Sequence, residues 1–183
     1  MNPRLPNHVK YVRSRPVVAG TGVGPTEVVS GYASHEKTLN VIRLRARKGD
    51  PTATGAASDN AYKIGRLAHE VAIRFKGRAP IREIVITGHA DLVFRHGLRD
   101  HQDEDDVSTK RAEDVLLELI TQIKADHDGH FTPVEFDDAT RNGQLRLIVN
   151  SMGARKPLRS GPGAVPENRR VAISLFLEPS IPI

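Results

Sequence analysis

The feature that most constrains the fold of this 183-residue chain is a change in the spacing of its apolar residues. One segment follows the spacing i, i+3, i+4, i+7, i+8 and i+11, and its members are Ala112, Val115, Leu116, Leu119, Ile120 and Ile123. That spacing places all of them on one face of an α-helix. The segment Ile81 to Thr87 is instead apolar almost throughout, which is typical of a central, largely covered strand. The chain therefore combines helices with a sheet.

The first part of the chain predicts two strands and a helix. Side chains of different kinds alternate along the chain from Val28 to Tyr32 and predict one strand. A second strand is expected from Leu39 to Ala46. The segment Lys48 to Ala57 is rich in Gly, Pro, Thr and Ala, which favours a loop. Ser58 or Asp59 then provides a short side-chain oxygen that can cap the first turn of a helix.

The second part predicts a loop, the long helix and further strands. The loop is expected over Asp91 to Asp106, and Ser108 is the expected cap of the helix. Val134 to Phe136 and Leu145 to Asn150 are expected to be strands. The pair Asn142-Gly143 between them is a strong signal for a tight turn.

The final strand and the chain length complete the predicted architecture. Val171 to Leu177 alternates like a strand and completes the series of predicted strands and helices. We therefore predict an α/β chain of the α+β two-layer sandwich type, with helices on one face of a mixed sheet. Residues 1–25 contain four prolines and predict a basic extended arm or linker, whereas residues 26–183 predict one domain.

Charge is distributed unevenly along the chain. Residues 1–99 contain 17 Lys and Arg against 7 Asp and Glu, a net +10, and residues 100–183 contain 10 against 15, a net −5. A basic half could bind nucleic acid, an anionic membrane or an anionic cell wall. Basic residues that only form a solvated surface would give the same charge distribution. Because aromatic residues are only 4% of the chain, platforms for stacking bases are scarce, and we expect no nucleic-acid partner.

Three separated motifs stand in order on these predicted elements. They are Gly88 to Asp91 (GHAD), Val107 to Val115 (VSTKRAEDV) and Asn168 to Ile173 (NRRVAI), with Gly153 and Pro157 between the last two. This pattern resembles OmpA-like domains, which have Gly-His-Thr-Asp, Leu-Ser-x-x-Arg-Ala-x-x-Val, Gly-x-x-x-Pro and Asn-Arg-Arg-Val-Glu-Ile in these places. The match covers about residues 58–178 and implies a βαβαβ domain.

The resemblance implies non-catalytic binding of peptidoglycan through its peptide stem, often at diaminopimelate. That residue presents an ammonium and a carboxylate at one end, so it needs one fixed anion and one fixed cation. By the family motif, Asp91 would accept from the ammonium and Arg111 would hold the carboxylate bidentately. Arg111 is expected in the first turn of its helix, where the helix dipole would help to bind an anion.

Further site residues follow from the same motifs. Ala90, Glu104 and Arg170 occupy positions that the family uses near its ligand, whereas His89 and Asn168 are expected to be structural. Ala90 lacks the usual Thr hydroxyl, and Glu104 places a carboxylate where the family has an amide. Structural alternatives remain open at this stage. Asp91 could be a turn former, Arg111 could pair with the acidic segment, and the two arginines before the last strand could be solvated.

The acidic run Asp103 to Asp106 departs from the family. It lengthens the segment between the predicted anion and cation, and its charge would repel a stem peptide rich in carboxylates. A calcium loop needs alternating ligands and a central glycine, which this run lacks. His96 and His101 show no spacing that would gather a transition metal. We therefore predict no metal and no cofactor.

Two functions of different kinds remain open. The first is peptidoglycan binding, and the second is a protein-interaction module within a larger envelope, injection or secretion assembly. An enzyme is not expected, because neither a carboxylate pair suited to glycoside hydrolysis nor a Ser-His-Asp arrangement stands out.

Location is constrained by two absences in the sequence pattern. No segment approaches the roughly 18 apolar residues of a membrane-spanning helix. The first residues carry positive charge without a continuous apolar core, so no secretory signal is predicted. We expect a periplasmic or envelope location if the protein is exported by another route. A cytoplasmic or assembly-associated location is the alternative.

Overall fold

The computed structural model describes residues 4–13, 23–92, 94–95, 98–126, 131–155 and 166–177. Within these ranges the strands, numbered in chain order, are β1 (Lys10–Arg13), β2 (Val23–Val29), β3 (Glu83–Gly88), β4 (Phe94–Arg95), β5 (Leu98–Arg99), β6 (Arg146–Ser151) and β7 (Val171–Phe176). The helices are α1 (Leu39–Arg47), α2 (Pro51–Arg74), α3 (His101–Ala125) and α4 (Pro133–Arg141), and a 3-10 turn spans Pro166–Asn168.

Five of these strands form a mixed sheet in the order β1-β6-β3-β7-β2. β6 is parallel to β1 and β3, whereas β7 is antiparallel to β3 and β2. Every residue of the central strand β3 is buried. The apolar faces of the helices and of the sheet share one core, as Ile64, Leu119 and Ile86 illustrate. The predicted two-layer α+β fold with a mixed sheet is confirmed.

Several predicted elements are confirmed with small shifts at their ends. The strands expected from Ile81, Leu145 and Val171 correspond to β3, β6 and β7, and Val28 lies in β2. The long helix predicted from Ala112 onwards is part of α3. No helix in the described part of the chain combines the length and apolar character needed to cross a membrane.

The segment 1–25 contains strand structure that the sequence did not predict. Lys10–Arg13 forms β1, which pairs in parallel with β6 at the edge of the sheet. β2 begins at Val23. Residues 10–13 therefore belong to the sheet rather than to a linker, while residues 1–3 and 14–22 lie outside the described residues.

The strand predicted from Leu39 to Ala46 is wrong, because this segment is the helix α1. Leu39 and Ile42 are buried and lie three residues apart, which is a helical and not an alternating spacing. The β-branched Val41 and Ile42 favoured a strand, but packing against α2 overrides that propensity.

The loop predicted over Lys48 to Ala57 is also wrong beyond its first residues. Asp50 caps α2, since its carboxylate accepts from the backbone N–H groups of Thr52 and Ala53. Pro51 occupies the first helical position, where its missing N–H costs nothing. Ser58 and Asp59 therefore lie inside the helix and do not cap it.

The loop predicted from Asp91 to Asp106 is shorter than expected, because α3 begins at His101. Asp100 is the cap and accepts from the N–H of Asp103 at 3.0 Å. Acidic side chains are favourable in a first helical turn, so the acidic run stabilises this helix start. Ser108 lies inside α3 and is not its cap.

The strand predicted over Val134 to Phe136 is wrong, because Pro133–Arg141 forms the helix α4. Thr132 and Glu135 form a capping box, in which each side chain accepts from the other's backbone N–H. The Asn142-Gly143 pair ends this helix, with Gly143 at φ +76°, and does not connect two strands.

Candidate functional site

The motif residues come together at one end of the strands, which we call the sheet edge from here on. β3 and β6 end there, β7 begins there, and the last residue of β2 pairs with the first of β7. Gly88, at the end of β3, packs directly against the α3 backbone. A Cβ on Gly88 would overlap the carbonyl oxygen of Ser108. The glycine of the GHAD motif is therefore required by close packing.

Ser108 fastens α3 to the loop that follows β6. Its hydroxyl lies 2.6 Å from the hydroxyl of Ser151 and accepts from the N–H of Gly153 at 3.1 Å. Gly153 adopts φ +51°, a left-handed conformation that favours glycine. The motif serine and glycine thus hold the edge in shape.

Asp91 pairs with Arg169 across this edge. Arg169 donates from Nε to Oδ2 of Asp91 at 3.0 Å, and the side chains of Arg169 and Asp91 are only 11% and 8% exposed. The loop is held in place by backbone bonds, in which the N–H of His89 donates to Arg170 and the N–H of Ala90 to Gly153. The GHAD and NRR motifs therefore meet directly.

Arg111 lies beneath the same edge and is almost fully buried, at 1% exposure. It donates to three backbone carbonyls, from Nε to Glu36 at 2.6 Å, from NH1 to His89 at 3.0 Å and from NH2 to Ala33 at 3.2 Å. Its guanidinium also lies 4.7 Å from the centre of the Tyr32 ring. Arg111 is therefore held by the protein's own backbone in this structure.

The electrostatics of Arg111 follow from this burial. The pKa of its guanidinium is lowered to about 10, mainly by desolvation and to a lesser extent by the nearby charge of Arg169, while Tyr32, Glu36 and Asp91 act in the opposite direction. Arg111 stays charged at neutral pH. It lies deep inside α3, about three turns from the helix start, so the prediction that it occupies the first turn is wrong.

Residues 30–38, which we call the strap, cover Arg111. Two carboxylates of α3 hold the strap in place. Lys37 pairs with Asp106 at 2.6 Å, and His35 pairs with Asp103 at 3.5 Å. The N–H of Leu39, just after the strap, donates to Asp114 at 2.7 Å. The acidic run therefore binds the chain's own strap and does not form the long loop that the sequence predicted.

The strap also has internal ties. Glu36 accepts from the N–H of Ala33 at 2.6 Å and pairs with Arg45 of α1 at 3.0 Å. Arg45 donates to the carbonyl of Gly31 at 2.6 Å. Gly31 has φ +90°, and a Cβ there would overlap Ala56 of α2, so the strap begins with a turn that only glycine fits.

A groove of about 590 Å³ opens between the strap, the first turns of α2 and the 3-10 turn. Its charged lining residues are Arg45, Asp50, Asp59, Glu167 and Arg169. Charges of both signs suit a ligand that carries both an ammonium and a carboxylate. Because Arg169 lines the groove and also contacts Asp91, the groove adjoins the motif cluster.

The predicted site residues are placed as follows. Asp91 and Arg111 meet at the same loop, since NH1 of Arg111 donates to the carbonyl of His89, two residues before Asp91. Ala90 and Glu104 are buried, and Glu104 lies 3.4 Å from the ring nitrogen of His101. Their ligand contacts remain predictions.

Arg170, His89 and Asn168 are all buried as well. Burial lowers the pKa of Arg170. The sequence interpretation missed Arg169 as the partner of Asp91. Arg169 and Arg170 follow a 3-10 turn and make local turn bonds, so strand alternation could not have shown which of the two faces Asp91.

In the described ranges, no group of three or more His, Asp or Glu side chains is placed to hold a metal ion.

Comparisons with known proteins return little. No protein-family model matches the chain, and no curated protein sequence matches it. One similar solved structure is titled "The structure of the cell wall anchor of the T6SS from Pseudomonas aeruginosa", with 20% identity, coverage of 67% of each chain and a TM-score of 0.37. That degree of similarity does not by itself establish a shared fold or function.

Proposed function

We propose that this chain binds peptidoglycan non-covalently through the peptide stem, at the sheet edge that holds Asp91, Arg111 and Arg169. The observation that carries the proposal is the convergence of three separate motifs beside one open groove. GHAD supplies Asp91, the α3 motif supplies Arg111 and NRR supplies Arg169. These are the residue types that an ammonium and a carboxylate on one carbon require.

The proposed chemistry is recognition without bond cleavage. Arg169 lines the groove, so its N–H donors other than the Nε bonded to Asp91 are proposed to bind an incoming carboxylate. Asp91 and Asp59 supply acceptors for the ammonium. A charge-assisted hydrogen bond contributes on the order of 1.5–3 kcal/mol, so affinity for a single stem is modest. Many stems on one polymer would add avidity.

Co-sedimentation with purified sacculi tests this proposal. We expect the parent protein to pellet with sacculi and the double variant Asp91→Asn, Arg169→Ala to stay in the supernatant. Arg141→Ala is the matched control, because Arg141 also pairs with an aspartate, Asp138, but lies on α4. Equal sedimentation of the parent and the double variant would refute the proposal, provided that both are folded by circular dichroism.

The second candidate is a docking module of an envelope, injection or secretion assembly. The burial of Arg111 under the strap favours it, since a site filled by the chain's own carbonyls has no vacancy for a stem. Cross-linking in cells before and after wall digestion by a muramidase separates the two candidates. A protein cross-link that survives digestion supports docking, whereas loss of retention on digestion supports wall binding.

A further inference from the structure

The strap occupies the position on Arg111 that a ligand carboxylate would take. A carboxylate offers two oxygens to the guanidinium fork. Here two backbone carbonyl oxygens of the strap, those of Ala33 and Glu36, accept from NH2 and Nε of Arg111. They come from residues more than seventy positions away in the chain, so this contact is a tertiary one.

Tyr32 anchors the strap in the core, whereas the residues after it are held mainly by polar contacts. His35 and Lys37 are 59% and 39% exposed at their side chains, and each pairs with a carboxylate of α3. His35 has φ +59°, an unfavourable conformation for a residue with a side chain. Exposed ion pairs contribute little to stability. Residues 33–37 therefore lift at lower cost than Tyr32 and the core elements beneath them, when a ligand replaces the two carbonyls bound to Arg111.

The groove provides the route by which a ligand would reach Arg111. Tyr32 and Ala33 of the strap line the groove on one side and contact Arg111 on the other. A stem peptide bound in the groove at Arg169 would therefore lie against the strap. Only the strap would then separate its carboxylate from the guanidinium of Arg111.

We propose that the strap is a gate over Arg111, closed in this structure and displaced when a peptide carboxylate replaces the carbonyls of Ala33 and Glu36. This inference rests on the proposed peptidoglycan binding and concerns its regulation. A carboxylate competes well with neutral carbonyls, because charge-assisted bidentate bonds are the stronger kind. Closure reduces the apparent affinity by the fraction of molecules that are open. Weakening the strap should therefore tighten binding.

The test is a calorimetric titration with a tripeptide that ends in diaminopimelate. The opened variant is Glu36→Ala, Lys37→Ala. It removes the ion pairs of Glu36 with Arg45 and of Lys37 with Asp106 but leaves the backbone of the strap unchanged. We expect this variant to bind roughly threefold to tenfold more tightly than the parent, as loss of one or two exposed pairs allows. Lys110→Ala is the control, because Lys110 pairs with Glu113 on α3 and does not touch the strap.

Hydrogen exchange of the amides of residues 31–38 provides the second readout. We expect peptide addition to speed their exchange in the parent. Equal affinities of parent and opened variant, or unchanged strap exchange on binding, would overturn the gate while leaving wall binding intact. Failure of the folded, opened variant to bind the peptide would also overturn the gate. Only the additional failure of the parent to sediment with sacculi would count against the proposed function itself.

Discussion

Arg169 donates from Nε to Oδ2 of Asp91 at 3.0 Å, and this bond joins the loop after β3 to the segment before β7. Both side chains are largely withdrawn from solvent, so the pair fixes the shape of the sheet edge. The same pair brings a cation to the groove that adjoins it. Stability and recognition are therefore coupled at this position.

The Asp91–Arg169 pair gives a prediction for stability. Arg169→Ala should lower the free energy of unfolding by about 1.5–3 kcal/mol, because it removes a hydrogen bond between charged groups and leaves Asp91 partly uncompensated. Urea denaturation measures this. Arg141→Ala should change the value by less than about 0.5 kcal/mol, since its pair is exposed. Equal effects of the two substitutions would show that the buried pair has no structural role.

Arg111 should be more sensitive to substitution than either member of that pair. Arg111→Met removes three hydrogen bonds to backbone carbonyls and the contact with Tyr32. We expect a loss of at least about 3 kcal/mol in unfolding free energy. Arg111→Lys should recover only part of it, because an ammonium cannot reach three carbonyls in the plane of the guanidinium. A fully stable Arg111→Met protein would contradict the described packing.

Two glycines give opposite predictions for the same substitution. Gly88→Ala places a Cβ on the carbonyl oxygen of Ser108, and this backbone atom cannot move aside alone. We expect that variant to unfold at much lower temperature or to be insoluble. Gly55→Ala, within α2, meets no atom within 4 Å and should raise stability by about 0.5–1 kcal/mol. Thermal unfolding of both proteins checks the pair, and a neutral Gly88→Ala would refute the close packing.

The capping box of α4 gives a pH prediction. A hydrogen bond from Lys76, with further bonds from Thr132, lowers the pKa of Glu135 to about 2 from its ordinary value of 4.5. A lowered folded-state pKa contributes stability that is complete above about pH 4.5 and is lost as pH falls towards 2. Glu135→Gln should therefore flatten the stability profile in that window. A profile unchanged by this substitution would contradict the pairing with Lys76.

The strands and the long helix could be predicted because their apolar spacing is local. Apolar residues that are close together in the chain are also buried together in two segments, the strand from Ile81 to Thr87 and the helix face from Ala112 to Ile123. The helices α1 and α4 were missed because both are short and contain β-branched or aromatic residues, so intrinsic propensity favoured strands. Thr38 and Thr132 stand at their N-cap positions and were signals that periodicity alone did not weigh, although only Thr132 makes a side-chain capping bond.

The site could be predicted only in part, for a different reason. The motifs pointed to Asp91 and Arg111, and the structure places Arg111 against the loop that carries Asp91, while their ligand contacts stay predictions. They could not reveal that the strap covers Arg111, because the carbonyls of Ala33 and Glu36 carry no sequence signature. The role of the acidic run was hidden in the same way, since its partner Lys37 lies far away along the chain.

The most direct test of the central claim is an amide chemical-shift titration of the parent protein with the diaminopimelate-ended tripeptide. We predict that shifts concentrate at residues 31–37, 88–91 and 168–170, where the strap, the GHAD loop and the NRR segment meet. The amides of α4, near the start of β6 and thus at the opposite edge, should not move. Absence of any shift, or shifts confined to α4, would contradict the account.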